Sequence, residues 1–147
     1  MRECARVLKP GGWMLVYQTF AGDHLEPLEA DRIFKALAIV ERSMDSVTFE
    51  RVSEQHGLRP ELRDVIASEW RERAIEDGDD NISQDLLELG RMRRNEREMA
   101  ERIGRERYEA ELAVRLWGIY QLLGKLQPVS YLLRKPPDSS AEAERPE

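Results

Sequence analysis

Arg6-Val7-Leu8-Lys9-Pro10-Gly11-Gly12, running without a gap into Trp13-Met14-Leu15-Val16-Tyr17-Gln18-Thr19-Phe20, decides the fold of this chain. The first seven residues end a helix and reverse the chain. Proline disfavours helical backbone at the residue before it, and paired glycines permit the positive φ of a tight turn. The residues that follow are apolar almost throughout, aromatic and β-branched, and bounded by Gly11, Gly12 and Gly22. That is the pattern of a strand buried on both faces, as in a parallel sheet. Such a strand needs neighbours on both edges and helices on both faces, so the fold class is α/β.

Working outward, Arg2 to Leu8 reads as a short helix. No capping residue precedes it, so Met1 reads as an internal residue of a longer domain. Leu25 to Arg42 reads as a helix with Ile33, Leu37 and Val40 on one face. Ser46 is a fitting cap for a helix from Val47 to His56, and Gly57 suits the left-handed residue that ends it. Leu58 to Trp70 reads as a second, more exposed strand. Arg71 to Gly104 is long, charged and helical, broken at Asp77-Gly78-Asp79-Asp80, with Ser83 as the next cap. Glu106 to Leu123 repeats Tyr108, Leu112, Leu116, Ile119 and Leu123 at spacings of three or four, a helix with one apolar face, and Gly124 ends it. Pro128 to Leu133 reads as a third strand. The end of the chain, 137–147, is rich in proline, serine, alanine and glutamate and is expected to be a disordered tail.

Of the 147 residues, 41% are hydrophobic and 35% charged, with 23 basic and 29 acidic side chains giving a formal charge of −6. A mildly acidic chain has no general attraction to nucleic acid or to an anionic membrane. The seven arginines from Arg91 to Arg107 are interleaved with glutamates, and Glu98–Arg102 and Glu101–Arg105 have the favourable i,i+4 order. They read as a solvated, salt-bridged face. A single cysteine, Cys4, excludes an internal disulfide and reads as a small apolar helix residue. Two distant histidines make a poor metal site. Met1 to Lys9 does not read as a signal peptide, and no run approaches the roughly 20 apolar residues of a membrane helix. The expected location is the cytoplasm.

Arg2-Glu3-Cys4-Ala5-Arg6-Val7-Leu8-Lys9-Pro10-Gly11-Gly12 resembles the stretch before the fifth strand of class I S-adenosylmethionine-dependent methyltransferases of the type 11-like kind, and Trp13 to Phe20 matches that strand. His56-Gly57-Leu58 resembles the end of the helix before the sixth strand. Ser130 to Lys135, before Pro136, resembles the antiparallel seventh, which slots between the fifth and sixth. The resemblance covers Met1 to about Trp70 and Leu126 to Pro136. It implies the C-terminal part of a doubly wound, Rossmann-like sheet: 1–70 as the second half of the α/β core, 71–125 as a helical insertion or lid, and 126–136 as the final strand. It further implies methyl transfer from S-adenosylmethionine to a small-molecule acceptor by direct displacement, with the enzyme holding donor and acceptor in line.

The same resemblance locates the donor at a glycine-rich loop and an acidic strand end, which follow the first two strands of the family. Glycines allow the backbone to approach the ligand and the acid binds the ribose diol. No such loop occurs here: Gly11 and Gly12 are the only paired glycines, and the turn uses them. The chain is therefore expected to be inactive by itself, with the donor site in a missing N-terminal half, and the strand Trp13 to Phe20, lacking a partner on one edge, is expected to make it marginally stable or self-associating through that edge. It would then be a fragment or one subunit of a split methyltransferase. A non-enzymatic helical interaction module is the alternative.

Ligands of open α/β sheets bind beyond the carboxyl ends of strands, which singles out Gln18 and Thr19. Gln18 is either a substrate contact or a strand-end residue bonded to backbone. His24, in the loop that follows, is either a proton acceptor or a surface histidine. Trp117 and Tyr120 either line a substrate pocket or belong to the core. No residue reads as a catalytic base, as a cofactor ligand or as a metal ligand.

Overall fold

A computed structural model describes residues 1–137; beyond Pro137 the expected disordered tail lies outside the described residues. The chain is α/β. A short helix α1 (Arg2–Val7) leads into β1 (Trp13–Ala21), followed by α2 (Pro27–Ala36), a 3-10 turn (Glu41–Met44), α3 (Ser46–Gln55) and β2 (Arg59–Val65). Four helices then intervene, α4 (Glu69–Glu76), α5 (Asn81–Arg94), α6 (Glu96–Ile103) and α7 (Arg105–Leu122), before β3 (Leu126–Arg134).

The three strands form one sheet in the order β1-β3-β2. β3 runs antiparallel to both neighbours, with Trp13 opposite Arg134 and Val65 opposite Val129. The Pro10-Gly11-Gly12 turn is stitched to the far end of β3. Gly11 N–H donates to the Lys135 carbonyl at 3.0 Å and Lys135 N–H donates to the Gly12 carbonyl at 2.9 Å. The Lys135 ammonium reaches the Ala5 and Leu8 carbonyls at 2.7 and 2.9 Å. A cation on the last carbonyls of a helix satisfies groups that have no partner within it.

Two cores result. On one face of the sheet Phe20, Leu58, Val129, Tyr131 and Leu133 are buried beneath α1 and α3, with Cys4 and Phe49 packed on them. The second core lies among the helices, where Ile33 and Phe34 of α2 and Met92 of α5 meet Tyr108, Leu112, Leu116 and Tyr120 of α7.

Several expectations are corrected. β1 is not covered on both faces: Trp13, Leu15 and Tyr17 are exposed, Leu15 by 74%. Helices α1 and α3 cover the opposite face, and α7 reaches this one at Thr19 and Leu126, at the carboxyl end of β1. The helix expected to run to Arg42 stops at Ala36. Ala38 takes φ 52° and Ile39 N–H returns to the Phe34 carbonyl at 2.8 Å, which closes the helix and turns Ile39 to Met44 towards the strand. The cap of α3 is Asp45, whose carboxylate accepts from Val47 and Thr48 N–H; Ser46 is its first helical residue. Trp70 belongs to α4 rather than to the second strand, and Ser83 lies inside α5, where Asp80 is the flanking residue. Leu123 caps α7 and is exposed. The arginine pairs also differ. Arg97 meets Glu101, and Arg105 meets Glu96 at 2.6 Å and Glu109 at 3.4 Å, because the break at Gly104 places Arg105 on a new helix facing back towards α6.

Candidate clefts at the strand ends

The loop after β1 and the loop before β3 cross at glycines. A Cβ on Gly22 would lie 2.8 Å from the Gly124 carbonyl and 3.2 Å from that of Lys125, so no other residue fits the crossing without moving backbone. Gly22 N–H donates to the Lys125 carbonyl at 2.9 Å. Beside it the Lys125 ammonium holds both oxygens of Glu29, on α2, at 2.5 and 2.6 Å. The bond to Lys125 lowers the Glu29 pKa, and the same bond raises that of Lys125.

This clamp carries a pH prediction. Glu29 titrates lower in the folded protein, so its contribution is complete above the ordinary glutamate range and is lost as pH falls through the folded value. Lys125 titrates higher, so its contribution is complete below the ordinary lysine range and is lost as pH rises through the folded value. Urea midpoints measured across pH are expected to fall at both ends relative to Lys125→Met. Curves that stay parallel at both extremes would show that the clamp adds nothing.

Two clefts open near the carboxyl ends of β1 and β2, and Tyr17 lines both. The first, of about 450 Å³, lies along the unpaired edge of β1 and brings Gln18, Thr19 and Trp117 together with Ile39, Ser43 and Met44. The turn at Ala38 builds its far wall. The second, of about 350 Å³, lies beyond the carboxyl end of β2, where Ile66, Trp70, Arg71, Gln121 and Pro128 face Tyr17.

A line of polar side chains separates the clefts. Gln121 is 5% exposed. Its Nε2 lies 3.5 Å from the Thr19 hydroxyl, to which it donates, and its Oε1 accepts from the Arg71 guanidinium. Gln18 is half-buried and its Nε2 reaches the Thr19 carbonyl at 3.4 Å. Of the residues expected at a site, Gln18, Thr19 and Trp117 thus share one cleft. His24 lies on an exposed turn and Tyr120 in the helical core, its ring beneath the Lys125 ammonium at 5.5 Å; neither lines the two clefts. Sequence reasoning passed over Trp70, Arg71 and Gln121. None of the three carried a legible signal: Gln121 is buried, but it falls on the opposite side of α7 from the stripe of Tyr108, Leu112, Leu116 and Ile119.

Neither Gly12 nor Gly22, the glycines that flank β1, offers open backbone for a cradle around S-adenosylmethionine. Such a cradle needs glycines whose missing side chain leaves room for a ligand. Gly12 and Gly22 are crowded, but by the protein itself, through the Lys9 and Gly124 carbonyls at 2.7 and 2.8 Å. Among the described residues no cluster of three or more His, Cys, Asp or Glu could hold a metal ion, and no helix is long and apolar enough to cross a membrane.

No protein-family model matches the sequence, and no curated protein matches it either. Solved structures do. One, assigned as a sarcosine dimethylglycine methyltransferase from Galdieria sulphuraria, aligns with 92% of this chain and 46% of its own at 19% identity and a TM-score of 0.54. A cyclopropane synthase from Mycobacterium tuberculosis aligns with 91% of this chain and 48% of its own at 13% identity and a TM-score of 0.51. The antiparallel β3 between β1 and β2 is the arrangement the sequence resemblance implied for the last three strands. The chain has the class I methyltransferase fold, and it spans about half the length of the solved structures it matches.

Proposed function

We propose that this chain supplies the acceptor-side part of an S-adenosylmethionine-dependent methyltransferase acting on a small molecule. The sheet order β1-β3-β2, with both clefts at the carboxyl ends of β1 and β2, carries the reading. On this reading 1–70 and 126–136 form the sheet portion and 71–125 the lid over the acceptor, in a cytoplasmic enzyme. The donor is held by a further portion that contributes the glycine-rich loop. That portion lies against the unpaired edge of β1 and the uncovered Trp13, Leu15 and Tyr17. An open edge beside a bare apolar face is a surface that proteins normally pair or cover. The portion is either a preceding segment of a longer protein or a second chain.

Calorimetric titration with S-adenosylmethionine and S-adenosylhomocysteine tests this. The chain by itself is expected to give no binding heat. A version extended through the in-frame upstream DNA, or mixed with a complementary half, is expected to bind in the micromolar range. Micromolar binding by the chain by itself would mean that a donor pocket lies within these residues. Failure of every longer form to bind would end the methyl-transfer reading.

A further inference from the structure

The Arg71 cleft has the makings of an anion seat. Arg71 makes no ion pair among the described residues. One guanidinium N–H is spent on Gln121, and a guanidinium has five in a rigid fork. One acid, Asp79, also lines the cleft; its Oδ1 accepts from Asn81 N–H at 3.0 Å and from the Asn81 amide at 2.5 Å, and it makes no ion pair with Arg71 among the described residues. Gln121 is itself buried and bonded to Thr19, so it can hold the guanidinium at a set height at the end of β1. Tyr17 and Trp70 add aromatic side chains to the lining of the same cleft. A held fork with free donors in a cleft lined by aromatic side chains matches a planar or tetrahedral oxyanion on a small organic body.

We infer that this cleft takes the acidic group of the methyl acceptor, a small molecule bearing a carboxylate or a phosphate, with Arg71 as its anchor and Gln121 as a positioning residue. The inference rests on the methyl-transfer reading above and narrows its substrate class. Gln121 also links the anchor to Thr19, and so to the neighbouring cleft beside Gln18 and Trp117, where the acceptor's other end would lie.

The chain titrated with benzoate, phenyl phosphate and uncharged benzyl alcohol, without donor, provides the test. Heteronuclear NMR reads the Arg71 Nε–H and the Trp70 indole N–H. At least one anion is expected to shift both signals saturably while the alcohol shifts neither. The stronger anion tells a carboxylate acceptor from a phosphate one. Arg71→Met is expected to weaken binding about ten- to hundredfold, the loss of a charge-assisted hydrogen bond. Arg73→Met, an exposed arginine on the same helix, is expected to leave binding unchanged. Circular dichroism of Arg71→Met checks that the fold persists, and Arg71→Lys, which keeps the charge but loses the fork, is expected to recover part of the affinity. No binding by either anion, equal binding by the alcohol, or full binding by Arg71→Met overturns the inference. Because no donor is present, any of these leaves the methyl-transfer reading to the donor titration. An intact anion site in a full-length protein that binds no donor would instead remove the acceptor role.

Discussion

Phe20→Ala is expected to lower the unfolding free energy by about 3–5 kcal/mol, the usual cost of deleting a buried phenyl ring and leaving its cavity. Phe20 is 2% exposed. Its ring meets Phe49 edge-on at 5.6 Å and Tyr131 at 6.1 Å, and those two rings lie 4.9 Å apart. The cluster joins β1, α3 and β3, so no single element can close the hole. Tyr131 is fixed from its other end as well, its hydroxyl donating to Glu50 at 2.6 Å and Arg63 donating to it at 3.3 Å. Urea denaturation followed by circular dichroism gives the number. Leu15→Ala is the control: five residues earlier on the same strand but 74% exposed, it is expected to cost less than about 0.5 kcal/mol, as surface changes do. Equal losses for the two would mean that the open face of β1 is covered in solution, and sedimentation would then show self-association.

Gly22→Ala is the second large effect, through backbone rather than cavity. The added Cβ would sit 2.8 Å from the Gly124 carbonyl, inside contact distance of an atom that no rotamer change can move. Overpacking of this kind costs typically about 1–3 kcal/mol. The strain falls on the crossing that seats Thr19 beside Gln121, so the loss of stability is expected to come with altered NMR signals for Gln121 and Arg71. Gly78→Ala is the comparison. No atom lies within 4 Å of its Cβ, although its φ of 91° still disfavours a side chain, and it is expected to leave the clefts unchanged. Identical clefts and an unchanged midpoint for Gly22→Ala would show that the crossing yields freely.

The elements themselves were legible from local chemistry. Pro10-Gly11-Gly12 can only stop a helix and turn, and the apolar run that follows can only be a strand beside an α/β core, so α1 and β1 follow from sequence. The apolar repeat of α7 from Tyr108 to Ile119 and the glycine after the helix are equally local, and the structure keeps both. The likeness of Arg2 to Gly12 to one family pointed to the antiparallel third strand, which pairs as expected with both others.

What tertiary structure decided is where non-local packing outweighs local pattern. Val40 continues the apolar face of α2 in sequence. Yet the helix ends before it, because the chain must turn at Ala38 for Met44 to enter the core beneath α7. Trp70 and Arg71 carry no periodic signal, and Gln121 meets Arg71 across 50 residues and Thr19 across 102. The sequence by itself determined the strands, the principal helices and the family resemblance, because turns and periodicity are written in neighbouring residues. Only the tertiary structure decided which face of β1 is bare and which polar groups share a cleft, because those depend on residues brought together from distant parts of the chain.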